Sequence, residues 1–73
     1  MWAEVKRNML DQIRRNQPVP LRRFIVGTSI MTGLKEETVS GYVKQFQEAG
    51  LIRLNAKQEL QLEEGTEAIL GFK

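Results

Sequence analysis

The chain has no cysteine and no histidine. Without cysteine there is neither a disulfide framework nor a thiolate metal site, and without histidine the commonest metal ligand and general base is gone. No paired nucleophile and base and no phosphate-cradling glycine loop takes their place, so the sequence points away from an enzyme and implies no cofactor and no bound metal. Apolar runs are short. Phe24-Ile25-Val26 is as long as any, against the roughly 20 residues of a membrane-spanning helix. Met1-Trp2-Ala3-Glu4 opens nothing like a signal peptide. The expectation is a soluble, cytoplasmic protein with no membrane partner.

What is present is the composition of a globular domain, with 41% hydrophobic and 27% charged residues. At 73 residues the chain has room for one domain, residues 1–73. A domain near this size buries only about 60% of the surface its unfolded chain exposes, so its few apolar stripes must cover one another. Charge is segregated along the sequence. Residues 1–23 hold six cations against Glu4 and Asp11, residues 24–53 balance, and residues 54–73 hold Lys57 and Lys73 against four glutamates, within a net charge of +2. A basic end of this kind can steer a polyanion onto one side of a molecule.

Periodicity divides the chain. Trp2, Val5, Met9 and Ile13, widened by Leu10, form a helical stripe and predict a first helix over 2–15. Asn16-Gln17-Pro18-Val19-Pro20 breaks it, because proline has no backbone N–H and disfavours helix at the residue before it. Leu21, Phe24, Ile25, Thr28 and Met31 predict a second helix over about 21–32, stopped by Gly33. Val39, Tyr42, Val43 and Phe46 mark a third over about 36–49, stopped by Gly50. The period then changes to two. Ile52 and Leu54 flank Arg53, and Leu60 and Leu62 flank Gln61, which predicts a β-hairpin around the four-residue turn Asn55-Ala56-Lys57-Gln58. Gly65 and the spacing of Ala68, Ile69 and Phe72 allow a short last helix. The expected core is Val5, Met9, Ile13, Phe24, Ile25, Leu34, Val39, Val43, Phe46, Leu51, Leu54 and Leu60.

The stretch Thr32-Gly33-Leu34-Lys35-Glu36-Glu37-Thr38-Val39-Ser40-Gly41-Tyr42-Val43-Lys44-Gln45-Phe46-Gln47-Glu48-Ala49-Gly50-Leu51-Ile52 resembles the turn, recognition helix and first wing strand of the winged helix-turn-helix DNA-binding superfamily, in its small bacterial and archaeal transcriptional-regulator form. Leu60-Gln61-Leu62-Glu63-Glu64-Gly65 is similar to the end of the wing, and the resemblance covers about residues 20–70. It implies an α+β fold: a three-helix core, a two-stranded antiparallel β-wing and a short C-terminal helix. It also implies binding of double-stranded DNA in transcription regulation, with the 36–49 helix in the major groove, whose width of roughly 12 Å admits a helix. On that helix the resemblance sets Thr38 against phosphate, and Ser40, Gly41, Lys44 and Gln45 against base edges. The sequence departs from the family pattern at Lys35, where a capping serine, threonine or aspartate is usual, and at Gly41, where a longer polar reader is common. Glu37 and Glu48 also place negative charge on the presumed DNA face.

Other candidate contacts come from charge placement. Arg22 and Arg23 fall in the first turn of the second helix, where cations oppose the helix dipole, so helix stability gives no reason for them and a phosphate does. Lys35 adds a cation at the start of the third helix. Arg53 points off the apolar side of the hairpin and Lys57 sits in its turn, both suited to a flanking phosphate or the minor groove. Plainer readings stay beside these. Lys44 and Glu48 are spaced to pair along one helix face, Asp11 has Arg7, Arg14 and Arg15 around it as a structural network, and the aromatics sit at core spacings. A second reading of the whole domain is a protein-protein interaction module in a transcription or other macromolecular assembly, with Glu37, Gly41 and Glu48 meeting a protein partner. One recognition helix spans too few base pairs to select a site in a genome, so a homodimer is expected, with Trp2, Ala68, Ile69, Leu70 and Phe72 as its surface.

Overall fold

Val5, Met9 and Ile13 stack along one side of helix α1, Trp2–Asn16, with Leu10 beside them, and Met9, Leu10 and Ile13 are buried. Glu4 in the first turn and Arg14 and Arg15 in the last suit the dipole of that helix. The computed structural model describes residues 2–66 and 68, with the side chains of Trp2 and Ala3 excepted. Helices α2, Leu21–Thr32, and α3, Glu36–Glu48, follow, with strands β1, Val19–Pro20, β2, Ile52–Leu54, and β3, Glu59–Leu62. The described residues thus form a small α+β domain of three helices and one three-stranded antiparallel sheet, ordered β1-β3-β2. Its radius of gyration, 11.2 Å, matches the ~11 Å of a compact chain this long.

The third strand corrects the two-stranded expectation. Val19 pairs with Leu60 and Pro20 with Glu59, and the N–H of Leu21 donates to the Gln58 carbonyl at 3.0 Å. Pro20 is tolerated because β1 is an edge strand, where a missing N–H breaks no inner ladder. A strand of two residues is too short for any alternation to announce it. The Gln17–Pro18 peptide is cis, and Gln17 Oε1 accepts the Leu62 N–H at 2.9 Å, tying this connection to β3.

In the hairpin, Ile52 faces Leu62, Arg53 faces Gln61 and Leu54 faces Leu60, as the period of two requires. The turn has the four expected residues, with Asn55 Oδ1 accepting the N–H groups of Lys57 and Glu59. Gly33 ends α2 at φ 76 and Gly50 follows α3 at φ 77, the left-handed stops their positions need. Between α2 and α3 the Ser29 hydroxyl donates to the Leu34 carbonyl at 2.6 Å, and the Leu34 N–H donates to Thr32 Oγ1 at 3.2 Å.

Met9, Leu10, Ile13, Val19, Phe24, Val39, Val43, Phe46, Ile52 and Leu60 form the core. Val5, Ile25, Leu34, Leu51 and Leu54, expected inside, are only partly buried against it, while Leu10, Val19 and Ile52 take fuller places. Thr66 is also buried, its hydroxyl donating to the Leu51 carbonyl at 2.8 Å. The short C-terminal helix falls mostly outside the described residues. So does the dimer surface of Trp2, Ala68, Ile69, Leu70 and Phe72, of which Ala68 alone has a described side chain, an exposed one.

Candidate nucleic-acid interface

Helix α3 presents two unlike faces. Val39, Val43 and Phe46 are buried toward α2 and the sheet, so the helical period turns Glu37, Gly41, Lys44 and Glu48 outward. Ser40 and Gln45 flank this outward strip, and both are exposed. Thr38 is half-buried. Lys35 occupies the N-cap position without a side-chain cap bond, leaving Glu36 and Glu37 in the first turn to suit the dipole.

A shallow groove runs between the start of α2 and the outward side of α3, lined by Arg22, Ile25, Glu36, Glu37, Ser40, Gly41 and Lys44. It gathers four of the expected site residues, Arg22, Ser40, Gly41 and Lys44, from two helices. Arg22 reaches Glu36 at 3.7 Å with its side chain 82% exposed, so this pair is a loose, solvent-screened contact. Among the described residues Lys44 has no hydrogen-bond or ion-pair partner, and the spacing-compatible pair with Glu48 does not form. Gly41 opens onto space that a Cβ would enter freely.

Arg23 is placed apart from Arg22. One residue along a helix is a turn of 100°, and Arg23 lines a different recess, between α1, β1 and α2. Gln45 stands on the opposite flank of α3 from that groove, its Oε1 accepting from Lys6 Nζ at 2.8 Å, while Lys6 also lies 5.4 Å from the Tyr42 ring centroid. The Gln45 amide nitrogen therefore remains as its outward donor. Nothing in the sequence marks Lys6, one of the cations of residues 1–23, as a neighbour of α3.

On the hairpin, Arg53 projects from the polar side as expected but bonds to Gln61 at 3.3 Å and approaches Glu63 at 3.8 Å. Lys57 is exposed at the turn, its side chain without a partner among the described residues. Asp11 binds Arg14 at 2.6 Å and Arg15 at 3.0 Å, the structural network its neighbours suggest. Among the described residues no three acidic, histidine or cysteine side chains cluster to hold a metal, and no helix is long and apolar enough to cross a membrane. No protein-family model matches the chain, and no curated protein sequence matches it.

Proposed function

We propose that this domain is a winged helix-turn-helix that binds double-stranded DNA and serves transcription regulation, with α3 in the major groove and the β2–β3 hairpin as the wing. The observation that carries the reading is the convergence of exposed Arg22, Ser40 and unpaired Lys44 on one groove beside the outward face of α3. Arg22 and Lys35 take phosphate, Lys57 reaches backbone beyond the helix, and Lys44 and Gln45 offer donors to base edges, where guanine N7 and O6 accept. Gly41 lets the helix backbone lie close to the groove floor. Glu37 and Glu48 accept from cytosine amino groups or else repel the backbone, which makes them selectors rather than sources of affinity. Arg53 joins the phosphate set on leaving its Glu63 contact, and Arg23 stands outside it.

A specific observation favours a second reading, an interaction surface for protein. Three carboxylates, Glu36, Glu37 and Glu48, lie on or beside the outward face of α3, and Glu36 already holds Arg22. Fluorescence anisotropy with labelled duplex DNA over a salt series decides between the two. With about four phosphates neutralised, by Arg22, Lys35, Arg53 and Lys57, log affinity falls against log salt with a slope of about −3.6. No duplex binding at low salt overturns the DNA reading and leaves the protein one.

A further inference from the structure

Lys6 of α1 and Gln45 of α3 stand 39 residues apart in the chain, yet Lys6 Nζ donates to Gln45 Oε1 at 2.8 Å. The ammonium also lies 5.4 Å from the centroid of the Tyr42 ring, close enough for the ring face to attract it. Lys6 is half-buried, so its cation has a defined seat against α3. An ammonium carries three donors and no acceptor, and it therefore holds the Gln45 amide by the oxygen alone. The amide is planar, with oxygen and nitrogen on opposite sides of one carbon. Drawing the oxygen toward α1 turns the nitrogen away from it. By the helical period Gln45 stands between Tyr42, which neighbours α1 through Lys6, and Gly41 of the outward strip, about 40° around the helix from the latter.

We infer that Lys6 is a positioning residue for base readout: it holds Gln45 as a donor only, so that at one position of the duplex the domain selects a base with a keto oxygen in the major groove, guanine above thymine, over adenine and cytosine. This rests on the reading of α3 as the helix in the major groove. A glutamine with both ends of its amide available reads adenine, its oxygen accepting from N6 while its nitrogen donates to N7. With the oxygen held toward α1 that pair of bonds is lost, and the amino group of adenine or cytosine meets the Gln45 nitrogen donor to donor. Such a contact leaves two polar groups unsatisfied between protein and base, which costs more than a bond merely missing. Guanine instead offers N7 and O6, two acceptors on one edge, and thymine offers O4 alone. The Lys6 bond is charge-assisted, about twice as strong as one between neutral groups. Its cation also polarises the amide, which strengthens the nitrogen as a donor.

Selection from a duplex library with a randomised centre, followed by sequencing of the bound fraction, tests it on the full chain and its variants. The ratio of guanine to adenine is read at the position whose preference vanishes in Gln45→Ala. In the wild type guanine exceeds adenine there by at least about fivefold, the low end for one good base contact. Lys6→Met keeps an unbranched side chain but releases the amide, and lowers the ratio at least about threefold as the adenine pair of bonds returns. Lys6→Arg, again a donor with no acceptor, keeps the ratio. The charge lost in Lys6→Met weakens all sequences alike and cancels in the ratio. Circular dichroism reads folding separately, and a merely structural Lys6 shifts the Tm without moving the ratio. A wild type that favours adenine, no position that depends on Gln45, a Lys6→Met ratio changed by less than about threefold, or a Lys6→Arg ratio that falls with it overturns the proposal and leaves the DNA reading standing. No retention of any duplex at low salt overturns the DNA reading, and the proposal with it.

Discussion

Replacing Phe46 by alanine tests the packing that turns α3 outward. Phe46 is 4% exposed and shares the buried side of α3 with Val39 and Val43. Truncating a buried phenylalanine to alanine costs about 3–5 kcal/mol, combining lost transfer energy with the cavity left behind. A 73-residue domain holds about 4–11 kcal/mol in all, at ~0.05–0.15 kcal/mol per residue. The loss therefore takes from about a quarter to the whole of that stability. With a urea m-value of about 1 kcal/mol/M for so small a domain, the midpoint falls by about 3 M or more. Urea titration followed by circular dichroism reads the shift, and Phe46→Leu, losing less volume, falls between the variant and wild type. The comparison is Ile30→Ala at low protein concentration, where an exposed side chain changes stability by no more than about 0.5 kcal/mol. A Phe46→Ala midpoint within about 1 M of wild type, at an unchanged m-value, refutes the packing of α3 and the outward face built on it.

Other perturbations separate roles that composition leaves mixed. Arg22→Ala flattens the salt dependence of duplex binding by about 0.9 in log-log slope, while Arg23→Ala leaves it unchanged, read by the same anisotropy series; equal effects of the two would contradict the separation of their sites. Gly33→Ala lowers stability by about 1–2 kcal/mol because φ is 76 there, whereas Gly27→Ala in dilute solution raises it by up to about 1 kcal/mol; paired denaturation curves check the opposite signs. Thr66→Val removes the buried hydroxyl bond to Leu51 and costs about 1 kcal/mol, measured by the same unfolding titration, since the Leu51 carbonyl keeps the Glu63 N–H at 2.9 Å.

Helix α2 and the hairpin were legible to the residue or nearly so, and for different reasons. Gly33 stops α2 because only a residue at ease with positive φ continues there, a local matter that a single letter announces. Alternation alone sets Ile52 against Leu62 and Leu54 against Leu60, because a slip of one residue would put every leucine in water. The candidate site was legible only in part. Lys44 on the outward face follows from the period of α3, but nothing local distinguishes Arg22 from Arg23, two adjacent arginines in the same turn.

The sequence by itself determined the three helices, the hairpin, the glycine stops and the polar face of α3, because each depends on residues within a few positions of one another, through backbone sterics and side-chain period. The tertiary structure decided what distant segments do together. It paired Val19 and Pro20 with β3, across some forty residues of chain, and buried Val19, Leu10 and Ile52 more fully than Leu54 or Leu51. It brought Lys6 to Gln45, sent Arg22 and Arg23 to separate grooves, and left Ile30 and Met31 in water. Those outcomes depend on which helix faces which, and helix packing is fixed by the fit of whole surfaces rather than by any run of neighbouring residues.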